Sequence, residues 1–230
     1  MHLDKINTPK TNLLNGKKIE ETPLEKKALL VETPKEYIVE LVDRKEIKEF
    51  IEKWHYSHNI NGLRSTYCFA LYYLDTKTNQ KIMIGAMIYG GLGMASVWKK
   101  YGEKEDDVIE LRRLAMIDST VRNSESYFIG KTINWLKKNT NLKTIVSYSD
   151  LYYNHEGIIY KATNFKKIGK TSSGRKIVYN GKLYHDKTIR TKYKGNLKPF
   201  AKRIKEALDN GDAYYIQTPP KNIYVYNLRK

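Results

Sequence analysis

Two positions in the chain carry side chains suited to proton transfer or metal binding. His55 and Tyr56 stand together at the end of a predicted helix, where an imidazole can act as acid, base or metal ligand. The same histidine can instead cap the helix by bonding its terminal carbonyls. Asp150 ends an apolar run, and a carboxylate there either faces a cleft or caps the following helix. Both interpretations stay open for His55 and for Asp150.

Two further groups suit anions. Arg122, Asn123, Ser124 and Ser126 lead into a predicted helix, where backbone N–H groups and hydroxyls can cradle a phosphate or a carbonyl oxygen. Ordinary capping by serine is the alternative. The pair Arg112-Arg113 lies inside a predicted strand, so alternation would place one guanidinium on each face. In so apolar a segment, at least one of them should meet an anion or a buried carboxylate.

The elements that must position these groups form one continuous unit, residues 110–165. Alternating and then helically spaced apolar residues predict a strand, a loop over 119–126, a helix over 127–138, a second strand over 144–150 and another helix from residue 155. In βαβα units, ligands collect where strand ends meet helix N-termini. We therefore expect the site around residues 118–126 and 147–155.

The remaining elements complete a mixed α/β fold. They are a strand at 36–42, a helix at 44–54 capped by Asp43, a hairpin of 66–74 with 81–89, a short helix at 95–101, strands near 166–171, 176–180 and 182–185, a basic helix at 197–208 and a strand at 223–226. This order predicts a single acyltransferase-like domain with a central splayed mixed sheet flanked by helices. Residues 1–35 read as a polar, mostly irregular arm, either mobile or wrapped around the core. Residues 36–230 form the predicted catalytic domain, with a basic extension from about residue 188.

Charge indicates a polyanionic partner. The 42 Lys and Arg exceed the 25 Asp and Glu, giving a net charge of +17. A proteome that is basic throughout is the alternative explanation. The chain also has 19 Tyr, and aromatic rings interleaved with cations can stack on bases while holding phosphates. An enzyme that modifies a base inside duplex DNA must flip that base into such a pocket. The predicted DNA contacts are Arg113, Lys161, Lys192, Lys198, Lys202 and Arg203.

Other function classes are excluded by what the sequence lacks. The single cysteine, Cys68, rules out an internal disulfide framework and a cysteine-based zinc cluster. No apolar run is long enough to span a membrane, and the N-terminus has no signal-peptide core, so we expect a soluble intracellular protein. The phosphate-loop, dinucleotide-binding, zinc-protease and serine-hydrolase motifs are missing.

Taken together, the order of several short motifs resembles the Mom family of phage DNA-modification proteins. The likeness covers residues 39 to 226 and lies in Trp54-His55-Tyr56, Ile84-Gly85-Ala86, Glu110 to Leu114, Asn123 to Ser126, Ile129-Gly130, Ser147 to Asp150, Gly157 to Phe165, the Asn180-Gly181-Lys182 hairpin and Pro220 to Tyr226. The resemblance implies a fold of the GNAT N-acetyltransferase type. It also implies transfer of a carbamoylmethyl or acyl-type group to the N6 amine of adenine in DNA. Such modification protects phage DNA from restriction, in the cytoplasm of an infected bacterium.

The resemblance also assigns roles to residues. His55, Tyr56 and Asp150 match the family's active-site positions, and Ser124 and Ser126 match its helix-entry loop. Asp150 or His55 would help remove the proton of the exocyclic amine. Tyr56 or the Ser124/Ser126 loop would hold the donor's carbonyl oxygen.

The donor stays open at this point. Acetyltransferases place small residues in the helix-entry loop, whereas Glu125 and Tyr127 here would crowd a CoA pyrophosphate. The alternatives are acetyl-CoA or another acyl-CoA, and a glycine-derived donor such as an aminoacyl-tRNA, with or without a metal ion held by His55 and Asp150. Two other functions are also open: an N-acyltransferase acting on a protein or a small-molecule amine, and a non-catalytic nucleic-acid-binding protein. The oligomeric state is open as well.

Overall fold

The computed structural model describes residues 13–14, 17–94 and 96–229. The strands are β1 Leu13–Leu14, β2 Lys17–Lys18, β3 Ile38–Val42, β4 Tyr67–Asp75, β5 Gln80–Gly90, β6 Val108–Met116, β7 Thr144–Ser149, β8 Lys166–Lys170, β9 Gly174–Tyr179, β10 Lys182–His185, β11 Lys192–Tyr193, β12 Asn196–Leu197, β13 Ala213–Thr218 and β14 Asn222–Asn227. The helices are α1 Pro23–Lys26, α2 Arg44–Trp54, α3 Ser124–Asn139, α4 Ile158–Ala162 and α5 Pro199–Asn210.

A large mixed sheet of seven strands organises the molecule, as predicted. Its order is β3-β4-β5-β6-β7-β14-β8. Every neighbouring pair is antiparallel except β6 and β7, which run parallel. Helices flank the sheet, and among the described residues no helix is long and apolar enough to cross a membrane. The fold class is therefore the mixed α/β class expected from the sequence.

Local sequence explains the two principal helices. α2 begins where Asp43 and Glu46 form a capping box, and it buries Ile47, Ile51 and Trp54 on one side. α3 buries Phe128, Ile129, Ile133 and Leu136. Its Thr132 hydroxyl lies 2.9 Å from the hydroxyl of Tyr89 on β5, which ties α3 to the sheet.

The parallel pair opens at one end. The β6–β7 ladder stops at Leu111 opposite Ser147, where the Ser147 hydroxyl donates to the Leu111 carbonyl at 3.2 Å. β6 continues to Met116 paired with β5, while β7 continues to Ser149 paired with β14. A bulge marks the parting point, because Ile88 pairs with Arg113 and Tyr89 with Leu111, which leaves Arg112 as an extra residue. The predicted splayed pair is confirmed.

The segment between β8 and β14 forms a small unit of its own. Strands β10-β9-β13 make a three-stranded sheet, and α5 covers it around a separate apolar cluster of Ile177, Ile204, Ala207 and Ala213. We call residues 174–218 the insert. The basic extension predicted from residue 188 is therefore divided: its first part belongs to the insert, and β14 returns to the large sheet.

The described part of the N-terminal arm lies against the core. The Ala28 side chain is fully buried, and its carbonyl accepts a hydrogen bond from the Tyr37 hydroxyl at 2.7 Å. Lys27 pairs with the buried Asp75 at 2.6 Å, and Lys53 of α2 pairs with Glu25 at 3.3 Å. Glu25, Lys27 and Ala28 of the arm thus contact the rest of the domain. Residues 1–12, 15 and 16 lie outside the described part.

Some elements differ from their predicted lengths. The helix expected from residue 155 is only α4, because Gly157 has φ +81° and so interrupts the helical backbone. A Cβ on Gly157 would also lie 2.5 Å from the Tyr224 ring, so this position requires glycine. The helix expected over 95–101 is a single 3-10 turn, Val97–Lys100, and Ala95 lies outside the described residues.

Candidate functional site

A cavity of about 460 Å³ opens where β6 and β7 part. We call it the His55 cavity; its polar and aromatic lining includes His55, Tyr56, Arg113, Tyr148, His155 and Tyr160. It lies at strand ends close to the N-terminus of α3, the place expected from the topology. The loop His155 to Gly157 reaches it because the Tyr224 hydroxyl holds the Glu156 carbonyl at 2.6 Å. Gly157 and Tyr224, both within the motifs of the sequence resemblance, thus shape one wall.

His55 is held as a neutral hydrogen-bond donor. Its Nδ1 accepts the backbone N–H of Ser57 at 3.1 Å, an arrangement that assigns the ring proton to Nε2. The side chain is only 6% exposed, and burial, followed by the nearby Arg113 charge, holds its pKa well below the usual range. Because Nδ1 is already engaged, His55 is suited to polarise an acceptor through Nε2 rather than to remove a proton.

Aromatic rings continue outward from His55. The ring centroids of His55 and Tyr56 are 4.1 Å apart, and Tyr56 and Tyr153 are 4.2 Å apart. His155 meets Tyr56 edge-on at 5.1 Å. Burial and the Asp150 charge raise the pKa of Tyr56, so its phenol stays protonated. Burial lowers the pKa of His155, which leaves a neutral imidazole at the cavity wall.

Asp150 lies beside this group without lining the same cavity. One carboxylate oxygen accepts the Tyr152 N–H at 3.1 Å, and the other lies 2.7 Å from Lys221 Nζ. Asp150 instead faces an adjacent cavity of about 320 Å³, which we call the Lys176 cavity. The two interpretations of Asp150 therefore apply together: it caps a short 3-10 turn and faces a cleft. Tyr153 connects it to Tyr56 and His55.

The hypothesis of a metal ion held by His55 and Asp150 is not supported. Within the part of the chain that the structure describes, no group of three or more His, Cys, Asp and Glu is placed to hold a metal. The Asp150 carboxylate is also taken up by Lys221 and by a backbone N–H. His55 has a single remaining ring nitrogen, which carries a proton.

Arg112 and Arg113 each have a buried guanidinium nitrogen without a hydrogen-bond acceptor among the described residues. Arg112 lies 3.5 Å from the Glu110 carboxylate, as the strand position suggested. Arg113 donates to the Arg112 carbonyl at 2.7 Å, but its Nε and that of Arg112 are buried without a hydrogen-bond partner among the described residues. Burial lowers the pKa of Arg113. An incoming anionic or carbonyl group in the His55 cavity would satisfy it.

The predicted cofactor loop is occupied in part by the protein itself. Ser124 is fully buried, and both its N–H and its hydroxyl donate to the Val121 carbonyl. The N–H of Ser119 donates to the Glu21 carboxylate at 2.8 Å, and the N–H of Val121 donates to the Tyr37 hydroxyl. Arg122 and Asn123 are exposed, and Ser126 is half-buried. The N–H groups of Ser119, Val121 and Ser124 are therefore not available to a pyrophosphate, and Glu125 and Tyr127 occupy the positions where crowding was expected.

Glu110 was not singled out from the sequence. It lines a third cavity, of about 250 Å³, together with Tyr148, which also lines the His55 cavity. Burial raises the pKa of Glu110, partly offset by Arg112. His155 and Lys176 were missed as well. Nothing in their local spacing marks them, because long-range packing brings them to the site.

The predicted DNA contacts other than Arg113 lie on the surface. Lys161 is exposed on α4. Lys192, Lys202 and Arg203 are exposed on the insert, and Lys198 is half-buried there. The insert carries 11 Lys and Arg against four Asp and Glu. It also exposes the rings of Tyr193 and Tyr214, at 65% and 59%. Cations and rings thus share one surface.

Solved structures similar to this chain are acetyltransferases. They include Arabidopsis thaliana NAA60 in complex with acetyl-CoA (9% identity, TM-score 0.47, covering 83% of this chain and 98% of that one). Another is the ribosomal-protein-S5-alanine acetyltransferase from Vibrio fischeri (11% identity, TM-score 0.45, covering 85% and 94%). A third is the ribosomal-protein-S18-alanine N-acetyltransferase from Escherichia coli (12% identity, TM-score 0.44, covering 84% and 95%).

The family assignment comes from the sequence itself. No curated protein matches the chain. The sequence profile of the Mom protein family, however, matches residues 36–230, which include the parted strands, the His55 cavity and the whole insert. This chain therefore belongs to the Mom protein family.

Proposed function

We propose that this protein is a transferase that modifies DNA, adding a carbamoylmethyl or acyl-type group to the N6 amine of adenine. The observation that carries the proposal is the His55 cavity, in which a neutral histidine donor, a neutral histidine base and an unsatisfied arginine meet between the parted strands. Family membership supports the same reaction class. The enzyme would act on phage DNA in the cytoplasm of an infected bacterium and protect it from restriction.

The His55 cavity suits a flipped base. Its volume of about 460 Å³ lies within the range of small-molecule sites, and its lining is rich in aromatic residues. Trp54, Tyr56 and Tyr160 provide flat apolar surface against which a planar base can pack. The base leaves the duplex because its exocyclic amine is otherwise paired and out of reach.

The step that these residues can carry out is acyl transfer, which forms an N6–C(O) amide. With a glycyl donor the product is N6–C(O)CH2NH2, and the carbamoylmethyl form, N6–CH2C(O)NH2, requires a later isomerisation that leaves the mass unchanged. In the acyl transfer the residues have the following roles. The Nε2–H of His55 donates to the donor's carbonyl oxygen, where negative charge develops as the amine attacks. The neutral imidazole of His155 accepts the proton that the amine loses as the C–N bond forms. The protonated phenol of Tyr56 supplies a proton to the departing group as its bond to the carbonyl carbon breaks. Asp150 caps the turn that carries Tyr153, and Tyr153 packs against Tyr56, so Asp150 supports the site without touching the reacting atoms.

The donor in this proposal is an activated acyl group, either the thioester of an acyl-CoA or an aminoacyl ester such as that of a glycyl-tRNA. Both present the carbonyl that His55 would polarise. Since three N–H groups of the loop before α3 are engaged within the protein, a CoA donor would need further contacts for its phosphates. The exposed Arg122 guanidinium is one such group.

The basic insert would hold the nucleic acid. Lys192, Lys198, Lys202 and Arg203 lie on it, and Lys161 lies on α4. Cations at these positions neutralise backbone phosphates without reading sequence. DNA is the proposed substrate, and a tRNA donor would bring a second polyanion to the same surface.

A second candidate is an N-acyltransferase acting on a cationic amine. Asp118 and Glu125 line the His55 cavity, and two carboxylates there would attract an ammonium group. Turnover with polyamines or peptide amines in the absence of DNA would favour it.

Mass spectrometry of nucleosides from plasmid DNA tests the proposal. Cells would express the wild type, His55→Gln, His155→Gln or Glu110→Gln, with Lys138→Gln at the exposed end of α3 as the surface control. A heavier deoxyadenosine should appear with the wild type and the control and fall at least tenfold with His55→Gln and His155→Gln. Unmodified DNA with folded wild-type protein would contradict the proposal. If DNA modification is lost only with Glu110→Gln, Glu110 rather than His155 is the proton acceptor.

A further inference from the structure

The Lys176 cavity, next to the His55 cavity, has features of an anion site. Its charged lining consists of Arg175, Lys176 and Lys221, opposed by Asp150 and Asp186. Each acid already has a cation: Asp150 lies 2.7 Å from Lys221, and Asp186 lies 3.1 Å from Arg190. In the described part of the chain, neither Arg175 nor Lys176 has a carboxylate within ion-pair distance. The cavity therefore presents two uncompensated cations.

Lys176 is held in place rather than left to move with solvent. Its ammonium donates to the Tyr153 hydroxyl at 3.1 Å and lies 3.7 Å from the centre of the Tyr152 ring. It is half-buried, and burial lowers its pKa to about 8, with Lys221 adding to the effect and Asp150 opposing it. A pre-positioned ammonium without a counter-ion gains more from an incoming anion than a solvated lysine does.

The position of Lys176 connects the cavity to the proposed reaction. Tyr153, which accepts from Lys176, also stacks on Tyr56, and Tyr56 lines the His55 cavity. Lys176 itself belongs to β9 of the insert, whose outer surface carries the excess of cations. An anion in the Lys176 cavity would thus lie between the cation-rich insert and the pocket proposed for the flipped base.

We propose that the Lys176 cavity binds a backbone phosphate of the DNA strand, next to the nucleotide whose base enters the His55 cavity. The inference rests on the proposed function and adds to it a fixed contact for the distorted strand. Lys176 and Arg175 hold the phosphate, and Lys221 keeps Asp150 from repelling it. Direct phosphate contacts of this kind set register on the strand while other groups recognise the base.

Binding measurements on a short duplex test the contact. The wild type, Lys176→Gln and Lys176→Arg would be titrated by fluorescence anisotropy over a range of salt concentrations, with Lys138→Gln near the end of α3 as a control for lost surface charge. Lys176→Gln should lower the slope of log affinity against log salt by about one, the share of one phosphate contact. Lys176→Arg and Lys138→Gln should keep the wild-type slope. Equal slopes for Lys176→Gln and the control would overturn the inference.

The pH dependence gives a second, independent outcome. Lys176 faces Asp150, Lys221, Tyr152, Tyr153, His185 and Asp186. Binding needs the protonated ammonium, so with a pKa of about 8 the wild-type affinity should fall about tenfold between pH 7 and pH 9. Lys176→Arg keeps its charge and should lose little. A parallel fall in both proteins would overturn the inference.

Two further experiments distinguish this inference from binding of the donor's phosphate and from the proposed reaction. If the pH-dependent step appears with CoA and not with the duplex, the phosphate belongs to the donor, and the assignment to the strand is overturned. Nucleoside mass spectrometry on the same variants separates it from the proposed function. If the wild type binds DNA through Lys176 but leaves it unmodified, the phosphate site is supported and the proposed reaction is refuted. If DNA is modified but Lys176→Gln does not change binding, the reaction is supported and the phosphate site is refuted.

Discussion

The backbone N–H of Ser119 donates to the Glu21 carboxylate at 2.8 Å, joining the arm to the loop that leads into α3. The two residues are far apart in sequence, and Glu21 lies outside the part of the chain matched by the Mom family profile. The arm therefore fills a hydrogen-bonding position in the loop where an acyl donor's phosphates were expected.

Removing that carboxylate should loosen the loop. We expect Glu21→Ala to lower the free energy of unfolding by about 1 to 2 kcal/mol, because the Ser119 N–H loses a charged acceptor. Glu21→Gln keeps an acceptor oxygen and should lose less. Urea unfolding of the three proteins measures this, and an unchanged midpoint for Glu21→Ala would show that the contact is dispensable.

Gly157 should tolerate no side chain. Gly157→Ala combines φ +81° with a Cβ 2.5 Å from the Tyr224 ring, so we expect a loss of about 3 kcal/mol in the free energy of unfolding. Gly195→Ala is the matched control, because Gly195 has φ +84° but nothing within 4 Å of an added Cβ. It should cost only about 1 kcal/mol. Equal losses in thermal melts would mean that the Tyr224 ring moves aside freely.

Arg113 should be needed for DNA modification but not for stability. Its buried Nε has no partner among the described residues, so Arg113→Met should leave the free energy of unfolding unchanged or raise it by about 1 kcal/mol. The same variant should reduce DNA modification at least tenfold, since the anion-seeking group of the His55 cavity is gone. Denaturant melts and nucleoside mass spectrometry check both parts. A variant that is active and less stable would show that Arg113 is purely structural.

The protein should lose stability on mild acidification. The pKa values of His55 and His155 are lowered, so the folded chain binds fewer protons than the unfolded chain, whose histidines titrate near 6.5. Their contribution is fully present above that value. It is lost as pH falls, by up to about 1.4 kcal/mol per pH unit for each group.

The variant His55→Gln measures the contribution of His55 to this pH dependence. Between pH 7 and pH 5 the free energy of unfolding of His55→Gln should fall less steeply than that of the wild type. Lys138→Gln, at the exposed end of α3, removes no histidine and should keep the wild-type slope. Identical slopes for wild type and His55→Gln would show that the pKa of His55 is the same in the folded and unfolded chains.

Local rules were enough for several elements. The bounds of α2 follow from the capping box of Asp43 and Glu46 and from the spacing of Ile47, Ile51 and Trp54, all within a few turns. The β4–β5 hairpin follows from alternation across a polar turn. The parted parallel pair followed from the order of strands and helices, because parallel neighbours require a crossover.

The site needed contacts that no local pattern contains. Asp150 was singled out, but its partner Lys221 and the neighbouring Lys176 arrive from distant parts of the chain. The bulge at Arg112 depends on the register with β5, so alternation within β6 could not locate it. Ser124 looked available for a ligand, yet packing buries it completely. In each case tertiary structure decided how the side chain is used.

The place of β14 has a consequence for how the protein is made. This strand fills the gap between β7 and β8, but it is synthesised only after the entire insert has followed them. Until then β7 presents an open edge, and the cleft wall built on it has no lateral support. During synthesis of the insert, the β7 wall of the proposed site is therefore in place without β14 beside it. The open edge of β7 can then associate with the edge strand of another chain. Chaperone dependence and sensitivity to translation speed should therefore concentrate in the stretch between Lys170 and Asn222.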